Sequence, residues 1–201
     1  MNSMQDPHTI SDLVTPHDDA RWLRLRDIIL ERSLKLGDFV LSSQRTSKYL
    51  FQLRQTTMLP EGAALISAII VDYMKQQALR CIGGMEMGAV PIVAAVGVAS
   101  HMQSYPVDAF FVRKEAKKHG ARERIDGYVS GGCEILLIDD VATTGNSIFA
   151  ALAGVREEYP TCFARRALVV IDREEGATEA LAREGIRLAS IFKKRDFPIP
   201  E

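Results

Sequence analysis

An excess of charge of either sign is missing from this chain of 201 residues: 25 lysines and arginines stand against 26 aspartates and glutamates, a formal net charge of −1. No global field draws it to nucleic acid or to an anionic membrane, so any anion site has to be assembled locally. Cysteine is scarce. Cys81, Cys133 and Cys162 stand far apart, odd in number and without a C-x-x-C pair, which argues against a disulfide framework or a cysteine metal site and fits free thiols in a reducing compartment. The longest apolar stretch, Ala89 to Ala99, is broken by Pro91 and Gly97 and falls well short of the roughly 18 residues a membrane span needs. No basic segment leading into an apolar run opens the chain, so no secretory signal is read and the expected location is cytoplasmic. Internal repeats, low-complexity tracts and a Walker-type G-K-[ST] element are absent as well.

What remains is ordinary in bulk and specific in detail. With 47% hydrophobic and 25% charged residues, the chain can bury the core of one α/β domain with a small appendage. After a polar opening, Thr15-Pro16 reads as a helix cap with Asp18 and Asp19 in the first turn. Trp22, Leu25, Ile28, Ile29 and Leu36 recur at near-helical spacing up to Gly37, and short strands follow at 39–41 and 47–53. From Glu61 onward helices and apolar strands alternate: helix 62–77, strand 79–82, a glycine-rich turn 83–88, and a helix to about Met102. Strand 108–112, a long polar segment, strand 134–138, helix 147–158, strand 167–171, helix 177–183 and strand 186–192 complete the pattern. Five near-continuous apolar strands predict a five-stranded parallel sheet flanked by helices on both faces, with residues 61–201 as the α/β core and 1–60 as a small N-terminal hood. Ligands of such sheets sit beyond the carboxyl ends of the strands, which points to loops 83–88, 113–132 and 139–147.

The last of these loops carries most of the chemistry. An apolar strand, Glu134 to Ile138, delivers Asp139 and Asp140 to the sheet edge; Val141, Ala142, Thr143, Thr144, Gly145, Asn146 and Ser147 follow, and a helix begins at once. Main-chain N–H groups at a helix N-terminus form a phosphate cradle. Thr143, Thr144 and Ser147 add hydroxyl donors, and Gly145 lets the backbone come close. Two acids beside a phosphate repel it unless they face something else, and ribose hydroxyls or a divalent cation are the sensible partners. An N-capping loop with a surface acidic pair is the plainer alternative. The second loop is basic: from Arg113 to Arg124 six lysines and arginines stand against two glutamates. Such a cluster suits a pyrophosphate, and a solvated loop or weak nucleic-acid patch is the alternative.

The stretch from Glu134 to Ser147 resembles the phosphoribosyl pyrophosphate signature of type I phosphoribosyltransferases. Arg113-Lys114-Glu115-Ala116-Lys117-Lys118-His119-Gly120 resembles the loop of the orotate phosphoribosyltransferases in particular. That resemblance implies the type I phosphoribosyltransferase fold and a magnesium-dependent transfer of ribose 5-phosphate from phosphoribosyl pyrophosphate to orotate, in pyrimidine synthesis. It also implies a homodimer in which residues 113–130 reach the neighbouring site, and no nucleic-acid or membrane partner. By the same resemblance, Arg113, Lys114, Lys117 and His119 meet the pyrophosphate, Lys117 as the catalytic lysine. Asp139 and Asp140 hold the ribose hydroxyls, with magnesium carried by the substrate and these two acids as candidate ligands. The loop 141–147 takes the 5-phosphate. Ile171-Asp172-Arg173-Glu174-Glu175 is similar to the segment whose arginine contacts orotate, and Leu41 to Phe51 to the stretch that lines the base. Arg173, Thr143 and Phe51 are therefore expected at the base. Ser42, Gln44, Leu50 and Met87 depart from the family pattern, two of them where a lysine is common, which leaves the base itself open between orotate and another. A non-catalytic sensor of the sugar phosphate is the alternative from another class; it predicts a basic helix-turn-helix, which the first 60 residues lack.

Overall fold

The computed structural model describes residues 14–40, 46–115 and 123–199; the polar opening of the chain lies outside them. Thr15-Pro16 forms a turn ahead of the first helix and does not start it. The Asp19 N–H donates to the Pro16 carbonyl, and the Asp19 side chain then caps α1 (Ala20–Ile28) by accepting the Arg21 N–H at 2.8 Å. A π-turn over Ile29–Ser33 ends this helix early, and Leu36, expected on its apolar stripe, lies instead on strand β1 (Leu34–Val40) with 56% exposure. Gly37 is likewise inside the strand, next to a register shift. β1 pairs antiparallel with β2 (Thr46–Phe51) as a separate two-stranded sheet. A single turn, α2 (Arg54–Thr57), leads into α3 (Pro60–Gln76).

The remaining strands are β3 (Cys81–Met85), β4 (Asp108–Val112), β5 (Ile125–Gly127), β6 (Glu134–Ala142), β7 (Phe163–Asp172) and β8 (Arg187–Lys193). They form one sheet in the order β5-β4-β3-β6-β7-β8. The predicted five parallel strands are present, and β5 adds an antiparallel edge from within the polar segment that had read as structureless. Three helices supply the crossovers: α4 (Ala89–Met102), α5 (Asn146–Glu158) and α6 (Ala177–Arg183).

Alternation along each strand sorts the core into two layers. Leu136 and Ile138 face α3 and α4 together with Leu168, Val170 and Ile191, while Ile135 and Leu137 face α5 and α6 together with Val169 and Leu188. From β3 the chain steps outward to β4 through α4, then returns to the other side of β3 and steps through β6, β7 and β8 with helices on the opposite face. The direction of winding thus reverses between β3 and β6, where ligands bind in open sheets.

The N-terminal elements close the first layer. Trp22 is buried, stacks on His17 and Phe192, and donates its indole N–H to the Ile191 carbonyl at 2.8 Å. Trp22→Phe keeps the ring contacts and leaves that carbonyl without its donor. The expected loss is about 1–3 kcal/mol, and a thermal melt should fall by roughly 2–4 °C for each kcal/mol. An unchanged melting temperature would show that the indole bond does not anchor α1.

Candidate active site

Strand β6 runs further than its apolar stretch. Asp139 to Ala142 are strand residues, held by β7 through Asp139↔Val169, Val141↔Ile171 and Ala142↔Asp172, so the expected loop 139–147 shrinks to Thr143–Gly145. The reason is the length of β7, which supplies ladder partners past the last buried isoleucine. Asp139, only 7% exposed, accepts the Asp140 N–H at 2.9 Å; the half-buried Asp140 accepts the Val141 N–H at 2.8 Å. Burial, and then the charge of Asp140, pushes the Asp139 carboxyl up to about 7. Burial raises Asp140 as well, against the exposed Arg54 guanidinium, which lowers it.

Gly145 caps α5 in the left-handed region, φ 84°, where a side chain would be strained, and no side chain occupies the cap. The first N–H groups of α5 are thus left to a ligand or to water. They border a cavity of about 70 Å³ lined by Asp139 and by residues 141–148.

The wall of the site comes from the turn after β3. Gly83, Gly84 and Met85 belong to the buried strand itself, and the turn is only Glu86-Met87-Gly88, with a cis Glu86–Met87 peptide. Gly88 packs so closely on the two acids that an added Cβ would stand 2.6 Å from Asp139 Oδ1 and 2.6 Å from Asp140 Oδ1. Met87 is 55% exposed, so the place at which the family pattern suggests a lysine presents a thioether. Glu86 accepts the Lys114 N–H at 2.8 Å and donates its own N–H to Val112. Glu86 lies in the expected loop 83–88 without having been singled out, and Arg54 is outside every loop the sequence pointed to; it reaches the site through packing.

The basic segment begins at the same sheet edge. Arg113 is half-buried and ion-paired to Asp126 on β5 at 2.8 Å, while Arg124 donates back to the Arg113 carbonyl. Its guanidinium is therefore an anchor for the β4–β5 pair as the structure stands. Lys117 and His119 lie outside the described residues, as do Ser42 and Gln44. On the far side, Arg173 follows β7 and is only 6% exposed. It pairs with Glu175 at 2.8 Å, donates to the Tyr49 hydroxyl at 3.0 Å and to Ser47 at 3.4 Å, and lies over the Tyr49 ring. Tyr49 in turn donates to Glu175 at 3.2 Å. Phe51 is buried against Tyr49 and Phe197 and offers no open ring face, so Tyr49 is the aromatic residue of this hairpin that meets Arg173. Thr143 is half-buried and Thr144, Asn146 and Ser147 are exposed around the cavity. Among the described residues no group of three or more metal-ligating side chains could hold a metal ion.

No protein-family model matches the chain. An orotate phosphoribosyltransferase of Rhodopseudomonas palustris (strain BisB5) is 40% identical over 182 residues, covering 89% of this chain and 96% of that protein. Among solved structures, Mycobacterium tuberculosis H37Rv orotate phosphoribosyltransferase in complex with Fe(III) dicitrate superimposes with a TM-score of 0.78 at 31% identity, over 89% of this chain and 99% of the other. The same bacterial enzyme in complex with 5-phospho-α-D-ribosyl 1-diphosphate gives 0.68 at 27% identity, over 88% and 90%.

The buried acid pair has a consequence for stability. A carboxyl raised to about 7 keeps its proton when folded over a pH range in which the unfolded chain has lost it, so stability falls as pH climbs from about 4 towards 7 and levels off above. Asp139→Asn removes that penalty. The variant should melt higher than the parent at pH of about 8, with the gap closing by pH of about 4.5; a gap independent of pH would disprove it.

Proposed function

The chain belongs to the orotate phosphoribosyltransferase family and has its type I phosphoribosyltransferase fold; from that premise we propose that it transfers ribose 5-phosphate from phosphoribosyl pyrophosphate to orotate, giving orotidine 5′-monophosphate and pyrophosphate in pyrimidine synthesis. The observation that carries this reading is the uncapped start of α5 beside two carboxylates pressed under Gly88. Main-chain amides and hydroxyls from Val141 to Ser147 hold the 5-phosphate, and Asp139 and Asp140 accept from the ribose hydroxyls. Both acids are raised by burial, and ribose hydroxyls that donate to them favour their charged forms.

The orotate N1 attacks the anomeric carbon while the bond to pyrophosphate breaks. Negative charge grows on the leaving group, where Arg113, Lys114, Lys117 and His119 stabilise it. Arg113 serves there once it lets go of Asp126. Asp139 and Asp140 would hold a magnesium ion, which would supply positive charge against the pyrophosphate. Residues 113–130 cover the reacting centre against water, contributed across a homodimer, in the cytoplasm. For the base, Thr143 and Arg173 are the contacts, with Phe51 supporting the hairpin. Arg173 already holds Glu175, so an incoming carboxylate competes with Glu175 for one guanidinium.

That ion pair, with Met87 in place of a cation, favours one second reading, the same chemistry on another base. Labelled phosphoribosyl pyrophosphate offered with a panel of bases separates the two: orotate alone should be ribosylated, and turnover of a different base in its place would overturn the orotate assignment. Lys117→Ala should cut turnover by about 10² or more, and turnover within threefold of the parent would remove that lysine from the mechanism. Arg173→Lys should raise the KM for orotate by about tenfold, as loss of a planar fork does, and leave the KM for phosphoribosyl pyrophosphate unmoved. Equal effects on both would place Arg173 outside the base site.

A further inference from the structure

Far apart in sequence, the cysteines meet at the end of the sheet opposite the active site. Cys81 opens β3, Cys133 immediately precedes β6 and Cys162 immediately precedes β7, three neighbouring strands. Cys81 is paired with Ile135 and Glu134 with Phe163, while the Phe163 N–H donates to the Cys133 carbonyl, so Cys133 and Cys162 stand side by side on adjacent strands. Their sulfurs are 3.8 Å apart, on the face covered by α5. Neighbouring strands run about 4.8 Å apart, inside the Cα spacing of about 4.4–6.8 Å that a disulfide spans. Bonding the two sulfurs therefore needs side-chain rotation and no rearrangement of the sheet.

We propose that Cys133 and Cys162 form a reversible oxidation site that takes low-molecular-weight disulfides as oxidant. Cys133, half-buried where Cys162 is 4% exposed, reacts first: its thiolate attacks one sulfur of the small disulfide and releases the other half as a thiolate. The Cys162 thiolate then attacks the Cys133 sulfur and expels the second half. Two protein thiols are oxidised and one small disulfide is reduced to two thiols. Cys81 is fully buried and stays a thiol. Burial raises Cys133 above the usual thiol range, which makes the first step slow at neutral pH and faster in alkali, so the pair responds to a lasting oxidising poise and not to a brief pulse.

The bond would close a loop of 29 residues that contains all of β6, the phosphate loop and α5. Six strand residues at about 3.3 Å each put roughly 20 Å between Cys133 and Asp139, so the cross-link restrains unfolding of the catalytic segment without touching its chemistry.

The test uses the full chain, equilibrated with oxidised glutathione at a pH of about 8.5, quenched in acid, denatured and alkylated. Mass spectrometry should show one alkylated thiol, Cys81, and a peptide cross-linked through Cys133 and Cys162. The melting temperature should rise by roughly 5 °C or more, and turnover should stay within twofold. Cys162→Ser should stop at a glutathione adduct on Cys133. Three alkylated thiols at equilibrium, a cross-link to Cys81, or the same lasting adduct in the parent would each overturn the proposal.

Discussion

Two carboxylates are buried side by side at the point where the winding of the sheet reverses, and the rest of the molecule is arranged to hold them there. Among the described residues neither forms an ion pair; Asp139 accepts the Asp140 N–H and Asp140 the Val141 N–H, and their charged forms are disfavoured by burial. Buried acids in that condition destabilise a free protein. They persist because β7 locks the strand that carries them and because Gly88 closes over them from β3, leaving no room for them to turn away. In the proposed reading, ribose hydroxyls that donate to the two acids favour their charged forms.

Two elements then bring the remaining groups to that point. Glu86 ties the start of the basic segment to the turn above the acids by accepting the Lys114 N–H. Across the site, the β1–β2 hairpin holds Arg173 through Tyr49 and Ser47, and Trp22 ties the helix before that hairpin to β8. The surroundings of Arg173 are therefore made from the N-terminal segment and the end of β7 together, and they come with their own carboxylate, Glu175. The acid pair and the loop after it come from one continuous stretch, β6 to α5.

That difference governs what could be read in advance. Asp139, Asp140, Thr143, Thr144, Gly145 and Ser147 lie within one strand–loop–helix unit, where spacing along the chain dictates spacing in the fold, and they were identifiable without coordinates. The continuous apolar run Ile135 to Ile138 likewise announced a strand buried on both faces. Leu36 misled because a residue seven or eight positions beyond Ile28 or Ile29 fits a helix or a strand equally well, and a π-turn decided between them. Phe51 packs against Phe197, and aromatic character alone does not say which neighbour a ring meets.

By itself, then, the sequence determined the α/β class, the five parallel strands and the family to which they belong, and it set an acid pair ahead of a small-residue loop and a helix, since each is encoded by local pattern. Only the tertiary structure decided that Gly88 faces the acids, that Glu86 holds Lys114, that Arg173 is shared with Tyr49 and Glu175, and that three distant cysteines meet at one end of neighbouring strands. Such contacts join strands by the order in which they lie in the sheet, and no one-dimensional spacing specifies that order.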